Sequence, residues 1–310
     1  MTPGDALEAS VDTCPGCHGT GWTQVGGGAQ SFDTVIDGRL FRQPAYAVRL
    51  CGECGLYFKS LTLSAAELTA YYRMLDSAPF EVDGRFPTDR LLLRRLASLP
   101  DRATVLDFGC STGRILKPHT SRLHCFGVEP NAAAAAVAAS RGIAVTTEAE
   151  LWQSERRFDA ILLTDVYEHL TDPVPLMEQL ARRLAPRGWL ALVTGNGDAI
   201  GHRERLAEYW YFRLPGHVLM VSERHLRWLT GRLDLALEEI HRCSHYDQPL
   251  HYRLKQHAQA FAYHRFRLSP RGLAARVMRA IPRVRKAERW PSAPAFTCGE
   301  DHIVAFYQRS

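Results

Sequence analysis

Four cysteines stand in two closely spaced pairs near the amino terminus, Cys14 with Cys17 and Cys51 with Cys54. A gap of two residues lets both thiolates of a pair bind one ion, and two such pairs complete a tetrahedral four-cysteine site. The alternatives are a redox-active pair or two unrelated pairs. We expect these four residues to hold a structural zinc ion, because two matched pairs at this spacing are typical of zinc sites.

A second group of residues with chemical potential lies between Asp107 and Gly113. The pattern predicts a buried strand that ends at Asp107, a turn containing Gly109 and Gly113, and then a helix. The spacing differs from the Gly-x-Gly-x-x-Gly cradle of a dinucleotide pyrophosphate. An acid at the end of the strand suits a cationic or amino-bearing ligand better than a diphosphate.

Glu129 closes the next predicted strand, 16 residues beyond Gly113. In Rossmann-like sites a carboxylate at this position accepts the hydroxyls of a ribose. The simpler alternative is a surface acid that the dipole of the following helix stabilises. Together with the glycine turn, Glu129 favours the binding of a ribose-containing ligand.

Candidate catalytic residues follow the fourth predicted strand, where Asp165, Glu168 and His169 would meet the ligand crevice. His169 has the right type of side chain for a general base, since its ordinary pKa of about 6.5 suits proton removal at neutral pH. It could instead only shape the pocket. His217, in a long aromatic-rich segment after the fifth strand, is a second candidate base.

The elements that must position these residues alternate between strands and helices from residue 103 onward. This alternation predicts an α/β domain with a largely parallel sheet covered on both faces. The expected strands are residues 104–107, 123–128, 143–146, 158–164, 189–194, 235–240 and 302–307. The expected helices are residues 88–99, 132–140, 174–184 and 222–230, the last of them ending at Gly231.

The series formed by Asp107 to Gly113, Glu129, Phe158-Asp159 leading to Asp165, and the turn at residues 186–188 resembles class I S-adenosylmethionine-dependent methyltransferases. The resemblance implies a Rossmann-like seven-stranded sheet in the order 3-2-1-4-5-7-6, with strand 7 antiparallel. It also implies S-adenosylmethionine as cofactor, with the turn holding the methionine part, Glu129 the ribose, and Thr147 and Glu148 near the adenine. The expected cofactor-binding residues are Asp107, Gly109, Cys110, Ser111, Gly113, Glu129, Pro130, Thr147, Glu148 and Asp165.

The zinc ribbon followed by Tyr71-Tyr72 and this domain is similar to the start of bacterial deoxysugar C-methyltransferases. That family carries a further carboxyl-terminal domain, whereas the present sequence ends just after the seventh predicted strand. This difference argues against a nucleotide-sugar acceptor. We therefore expect a sugar-like or secondary-metabolite small molecule, methylated on oxygen or carbon. A zinc ribbon beside a methyltransferase domain also resembles certain ribosomal RNA methyltransferases, which makes RNA the alternative substrate. A third alternative is a non-catalytic zinc-ribbon binding module.

Length and composition set the remaining expectations. The chain has 310 residues, of which 46% are apolar, as in a globular protein with a packed core. We expect a zinc ribbon at residues 1–62, a helical connector at 63–87 and a methyltransferase domain at 88–310 with a basic helical insertion at 247–297. The sequence has neither the roughly 20 apolar residues of a membrane span nor a secretory signal, which favours a cytoplasmic protein.

The basic insertion departs from the charge balance of the rest of the chain. Eleven Lys and Arg residues lie between Arg253 and Arg289 against the single acid Glu288, a local net charge of +10. Because the whole chain carries +5, the remainder carries −5. A solvated helical hairpin, a polyanion-binding patch and an interfacial membrane helix are the three alternatives.

Overall fold

The computed structural model describes residues 8–36, 38–74, 86–199, 203–290, 293–294 and 296–309. The first residues of the predicted ribbon and residues 75–85 of the predicted connector lie outside this set. The strands are β1 (Glu8–Ser10), β2 (Trp22–Gln24), β3 (Phe32–Ile36), β4 (Arg39–Gln43), β5 (Val48–Cys51), β6 (Tyr57–Lys59), β7 (Leu61–Leu63), β8 (Thr104–Phe108), β9 (His124–Val128), β10 (Ala144–Thr146), β11 (Phe158–Thr164), β12 (Leu184–Gly195), β13 (Leu219–Met220), β14 (Ala236–Cys243) and β15 (His302–Gln308). The α-helices are α1 (Ala65–Met74), α2 (Pro87–Ala97), α3 (Ala132–Ser140), α4 (Glu148–Gln153), α5 (Pro173–Arg182), α6 (Glu223–Leu233), α7 (Leu250–Leu268), α8 (Leu273–Arg279) and α9 (Pro282–Arg285).

Seven strands form the central sheet in the order β10-β9-β8-β11-β12-β15-β14. Numbered along the chain, this is 3-2-1-4-5-7-6, and β15 pairs antiparallel with both β12 and β14. The predicted strand order and the antiparallel seventh strand are therefore confirmed. Strand β14 therefore runs in the same direction as the other five, and the carboxyl ends of these six parallel strands meet at one edge, where ligands bind in open α/β sheets.

Alternating apolar residues cover the sheet on both faces. Leu106 and Ile161 face one core layer, which also contains apolar residues of α5 and α6 and the four paired cysteines. Val105 and Leu162 face the other layer, against α2 and α3. Because every second residue of a strand points to the same side, this division follows from near-continuous apolar runs in the sequence.

The cysteine-rich region shares a sheet with the rest of the chain. Strands β2, β5 and β6 form an antiparallel ribbon, and β13 adds to it by pairing with β6. Strand β13 follows the segment that carries His217, so the ribbon backbone directly supports this segment.

Three local expectations are wrong. The helix expected after the glycine turn is reduced to hydrogen-bonded turns and one 3-10 turn, Lys117–His119, with Pro118 in its first turn. Helix α6 passes Gly231 and ends at Leu233, and the next residue, Asp234, caps it in the left-handed conformation (φ 52°). Strand β12 begins at Leu184, before the turn predicted at residues 186–188. These three residues form an irregularity within the strand, where Arg187 has a positive φ of 63°.

Helix α7 is the longest helix in the described part of the chain, at 19 residues. In the described residues, no helix is both long enough and apolar enough to cross a membrane.

Candidate functional site

The turn after β8 depends on two glycines with positive φ. Gly109 and Gly113 have φ values of 81° and 80°, a region that side-chain-bearing residues rarely adopt. A Cβ at Gly109 would lie 2.4 Å from Cγ2 of Val166, and one at Gly113 would lie 2.1 Å from Cδ1 of Ile143. The two glycines therefore let the backbone turn tightly at the carboxyl edge of the sheet.

Glu129 points into this turn. Its Oε2 accepts a hydrogen bond from the backbone N–H of Ser111 at 2.8 Å, and its Oε1 accepts one from the N–H of Asn131 at 2.7 Å. Burial raises the pKa of Glu129, and the two N–H donors oppose this shift by favouring the ionised form. Each carboxylate oxygen keeps a second lone pair that a ligand hydroxyl can use.

Asp107 lies beneath the turn and is 3% exposed. Its Oδ1 has no hydrogen-bond partner in the described residues. Burial, together with the nearby charge of Glu129, raises the pKa of Asp107 to about 7. A buried carboxyl with an unused oxygen and a raised pKa is a favourable place for a cation or an amino group.

The other predicted cofactor residues surround the turn unevenly. The N–H of Cys110 donates to the carbonyl of Val128 at 3.1 Å, while Pro130 is exposed beside Glu129. Thr147 caps the start of α4, and Oε1 of Glu148 accepts from the indole N–H of Trp152 at 3.0 Å. Thr147 and Glu148 thus lie after the third strand, with their hydrogen bonds directed into α4.

Glu168 follows β11 at the carboxyl edge of the sheet and is fully buried. Its Oε1 accepts from the hydroxyl of Tyr211 at 2.5 Å and its Oε2 from the hydroxyl of Thr194 at 2.8 Å. Burial raises the pKa of Glu168, and both hydroxyls oppose that shift. These contacts join the ends of β11 and β12 to the segment that carries His217.

The two candidate bases lie together. The rings of His169 and His217 are 4.8 Å apart between centroids. The Nδ1 atom of His169 is 2.7 Å from the Tyr72 hydroxyl and 3.1 Å from the Gly216 carbonyl. Burial lowers the pKa of His169 to about 4, so this imidazole is neutral at physiological pH.

His217 differs from His169 in its hydrogen bonding. Its Nδ1 is buried and has no partner among the described residues, while its ring packs 4.1 Å from that of Tyr211. Burial lowers the pKa of His217 well below its ordinary value, and His169 and Lys59 add to this effect. His217 is therefore a neutral imidazole with an unused nitrogen.

Sequence reasoning missed a polar network at the start of the last strand. The Nε2 of His302 lies 3.7 Å from Oδ1 of Asp165 and 2.9 Å from Nδ1 of His245. Burial opposes ionisation of His302, but Asp301, Asp165 and Glu168 raise its pKa overall. The sequence did contain a signal for these residues. An antiparallel seventh strand must begin at the edge where the parallel strands end, which places Asp301 and His302 at the ligand-binding edge.

Lys59 was also missed. This fully buried amine donates to Oε1 of Gln43 at 3.2 Å and to the carbonyl of Leu214 at 3.1 Å. Burial lowers its pKa well below the ordinary value. Lys59 therefore links the ribbon to the backbone of Leu214, three residues before His217.

The four paired cysteines converge on one point. Their sulfur atoms all lie within 4.8 Å of one another, with Cys14 and Cys54 at 3.4 Å and Cys17 and Cys51 also at 3.4 Å. A tetrahedral zinc ion with bonds of about 2.3 Å needs sulfur atoms about 3.8 Å apart. The hydrogen bond between Cys14 and Cys54 lowers the pKa of Cys14 to about 5 and raises that of Cys54, while burial raises the pKa of Cys17 to about 11. A bound cation would favour the thiolate form of all four residues, since metal ligation deprotonates cysteine. The geometry and chemistry of this cluster fit zinc.

Hydrogen bonds through α6 connect the cysteine cluster to the segment that carries Glu168 and His169. Tyr167, next to Glu168 in sequence, has its hydroxyl 2.6 Å from Nε2 of His225 in α6. Residues at the start of α6 bind the second cysteine pair: Ser222 donates to the carbonyl of Gly55 at 2.6 Å, and Arg224 donates to that of Glu53 at 2.7 Å. The cluster thus supports the wall of the histidine-lined site.

The fold and this site define a Rossmann-like α/β protein with a ligand site at the carboxyl edge of its sheet. The family model described as a methyltransferase domain matches residues 84–240, half of the chain. The chain belongs to this methyltransferase domain family, as its resemblance to S-adenosylmethionine-dependent methyltransferases predicted.

Individual relatives are more distant. The chain is 33% identical over 101 residues to a ubiquinone biosynthesis O-methyltransferase of Rhodopseudomonas palustris (strain BisA53), a match that covers 30% of this chain and 40% of the relative. It resembles a chain in the complex of the Haloferax volcanii Trm112 methyltransferase activator with a methyltransferase, at 13% identity and a TM-score of 0.51, covering 79% and 97% of the two chains. It also resembles the N-methyltransferase NodS of Bradyrhizobium japonicum WM9, solved with S-adenosyl-L-homocysteine, at 14% identity and a TM-score of 0.45, covering 78% and 97%. These structural likenesses concern the fold.

Proposed function

We propose that the chain transfers the methyl group of S-adenosylmethionine to a small-molecule acceptor. The observation that carries this proposal is the pairing of Glu129, directed into the glycine turn, with the buried Oδ1 of Asp107 beneath it, which has no hydrogen-bond partner among the residues that the structure describes. S-adenosylmethionine carries a ribose for Glu129 and an α-ammonium group for Asp107, and it supplies a methyl group already activated on a sulfonium.

The residues around the turn fit this cofactor. The free lone pairs of Glu129 accept the ribose hydroxyls, and Oδ1 of Asp107, which has no hydrogen-bond partner among the described residues, accepts a donor from the amino acid end. Asp165, whose Oδ1 lies 3.7 Å from Nε2 of His302, accepts a further donor from that end. Gly109 and Gly113 let the backbone approach closely. The full proposed contact set is Asp107, Gly109, Cys110, Ser111, Gly113, Glu129, Pro130, Thr147, Glu148 and Asp165.

The acceptor side is formed by His169 and His217, with Glu168 holding the surrounding segments in place. We assign proton removal from the acceptor to Nδ1 of His217, because that nitrogen has no partner in the described residues. The O-methyltransferase activity named for the Rhodopseudomonas relative favours an oxygen acceptor over carbon. The similarity to deoxysugar C-methyltransferases stays a prediction, and a sugar-like hydroxyl remains within this acceptor class.

Replacing His217 with asparagine is expected to slow methyl transfer about 100-fold, since a general base typically contributes at least that much. Binding of S-adenosylmethionine is expected to stay within twofold of the parent. The measurement is transfer of a labelled methyl group to a panel of phenols, enols and sugars. His124→Asn, at an exposed position at the start of β9, is the matched control and should retain full transfer. Unchanged transfer by His217→Asn would contradict the assignment.

Cofactor binding should weaken in mild acid because of Asp107. Its pKa is raised to about 7 by burial and by Glu129, so lowering the pH through 7 protonates it and removes the charge that attracts the α-ammonium group of the cofactor. Affinity for S-adenosylmethionine should fall roughly tenfold for each pH unit below 7. Calorimetric titrations from pH 7.5 to 5.5 measure this slope, and Asp107→Asn should bind weakly with a flatter profile. A wild-type affinity independent of pH would argue against this role.

A further inference from the structure

The insertion between β14 and β15 carries most of the exposed large apolar side chains in the described part of the chain. In the part of the chain that the structure describes, twelve large apolar side chains are exposed, and eight of them lie between residues 250 and 281. They are Leu250, Tyr252, Leu254, Phe261, Leu268, Leu273, Val277 and Ile281. A cluster of this kind on a protein surface marks an interaction site more often than chance.

On α7 the exposed apolar residues form one stripe. Leu250, Leu254, Phe261 and Leu268 fall within about 40° of one another around a helix of 3.6 residues per turn. They are 70%, 61%, 48% and 44% exposed. The buried residues Ala262, Tyr263 and Phe266 occupy the opposite side of the same helix. The stripe is therefore turned away from the protein core.

Helix α8 repeats the pattern over its two turns. Leu273 and Val277 lie one turn apart and are 76% and 57% exposed, with Ile281 one turn further along the chain. The buried Ala275 lies on the opposite side and packs with Phe266 of α7 and Ala287 in a small core. The insertion thus has its own packed interior and still leaves aliphatic side chains in solvent.

Basic residues surround this apolar surface. Of the eleven Lys and Arg side chains between Arg253 and Arg289, ten are exposed, and Arg279 is half-buried in an ion pair with Glu288. Glu288 is the only acid in the segment, so the net charge is +10. The surface therefore combines exposed aliphatic groups with a dense positive charge.

We propose that the exposed stripe of α7 (Leu250, Leu254, Phe261 and Leu268) and the basic residues beside it, here called the basic apolar face, bind the surface of an anionic lipid bilayer. Aliphatic side chains would enter the boundary between headgroups and acyl chains, while the surrounding arginines and lysines contact phosphates. Charge complementarity supports this occupant, since each basic residue near an anionic bilayer contributes to attraction. The proposal is independent of the methyl transfer proposed above.

Other occupants match the observations less well. A second copy of the chain would bring one +10 segment against another, which like-charge repulsion opposes. RNA would pair with the arginines, but it gains little from the leucine side chains that make up three of the four stripe residues. An anionic bilayer uses both the positive charge and the aliphatic groups.

The test is co-sedimentation of the full chain with vesicles at moderate salt. We expect the chain to bind vesicles of phosphatidylcholine that contain about 30% anionic phosphatidylglycerol. Binding to vesicles of pure phosphatidylcholine should be at least tenfold weaker. The double variant Leu254→Ser with Phe261→Ser should bind anionic vesicles at least tenfold more weakly. Both residues are exposed, so the fold should be kept, and a thermal melt checks this.

The matched control is Val35→Ser with Leu40→Ser, a pair of exposed apolar residues on the β3–β4 hairpin, which should bind like the parent. Absence of binding to anionic vesicles would overturn the proposal, as would equal binding to both lipid compositions. Tight binding of RNA by the parent and the Leu254/Phe261 variant alike, without vesicle binding, would show that the charge serves a nucleic acid instead.

Discussion

Replacing Glu129 with glutamine is expected to raise the dissociation constant for S-adenosylmethionine about 100-fold. The carboxylate uses one oxygen for the N–H of Ser111 and the other for the N–H of Asn131, and its remaining lone pairs face the proposed ribose. An amide has only one oxygen, so one backbone donor loses its acceptor and one ribose hydroxyl meets an N–H group. Hydrogen bonds to a charged group contribute about 1.5–3 kcal/mol, which corresponds to the expected change.

Isothermal titration calorimetry on folded protein measures this effect. The matched control is Glu238→Gln, which removes an exposed carboxylate on β14 and should bind the cofactor like the parent. If Glu129→Gln bound S-adenosylmethionine within twofold of the parent, the ribose would have to be held elsewhere.

Replacing Cys14 and Cys51 together with serine is expected to abolish zinc binding and to lower the unfolding midpoint by about 10 °C or more. These residues supply one thiolate from each pair, and two remaining thiolates cannot close a tetrahedral site. Structural zinc contributes folding free energy directly, so its loss removes several kcal/mol. Elemental analysis should find about one zinc per wild-type chain.

The same double variant should also lose methyl transfer, because the cysteine cluster supports α6 and, through His225 and Tyr167, the segment that begins with Glu168. Cys243→Ser is the matched control, since this half-buried cysteine lies on β14, away from the cluster. A wild-type chain that contains no zinc when produced in zinc-supplemented medium would contradict the metal assignment.

The sheet could be predicted from sequence because its signals are local and mutually consistent. Apolar runs such as Phe158 to Thr164 indicate buried strands, and their alternation with helices indicates a largely parallel sheet. Strand order and the antiparallel seventh strand came from resemblance to a family. The sequence placed Glu129 and the glycine turn at the ends of neighbouring strands, and the structure joins them through the N–H of Ser111. The role of Glu129 in binding the ribose stays a prediction.

The acceptor side could be predicted only in part. His169 and His217 were identified singly, but their proximity depends on a long connection that the ribbon strand β6 and Lys59 hold in place. The roles of Asp301, His302 and His245 depend on contacts between distant parts of the chain, which periodicity does not encode. The prediction of a helix after Gly113 was wrong, because hydrogen-bonded turns pair the backbone N–H and C=O groups of this segment instead.

The most direct test is a crystal structure of the chain with S-adenosylhomocysteine. The ribose hydroxyls should lie within hydrogen-bonding distance of both carboxylate oxygens of Glu129, and the amino group should lie beside Asp107. A nucleoside bound at another part of the molecule, with Glu129 left in contact only with the N–H groups of Ser111 and Asn131, would contradict the proposed cofactor site.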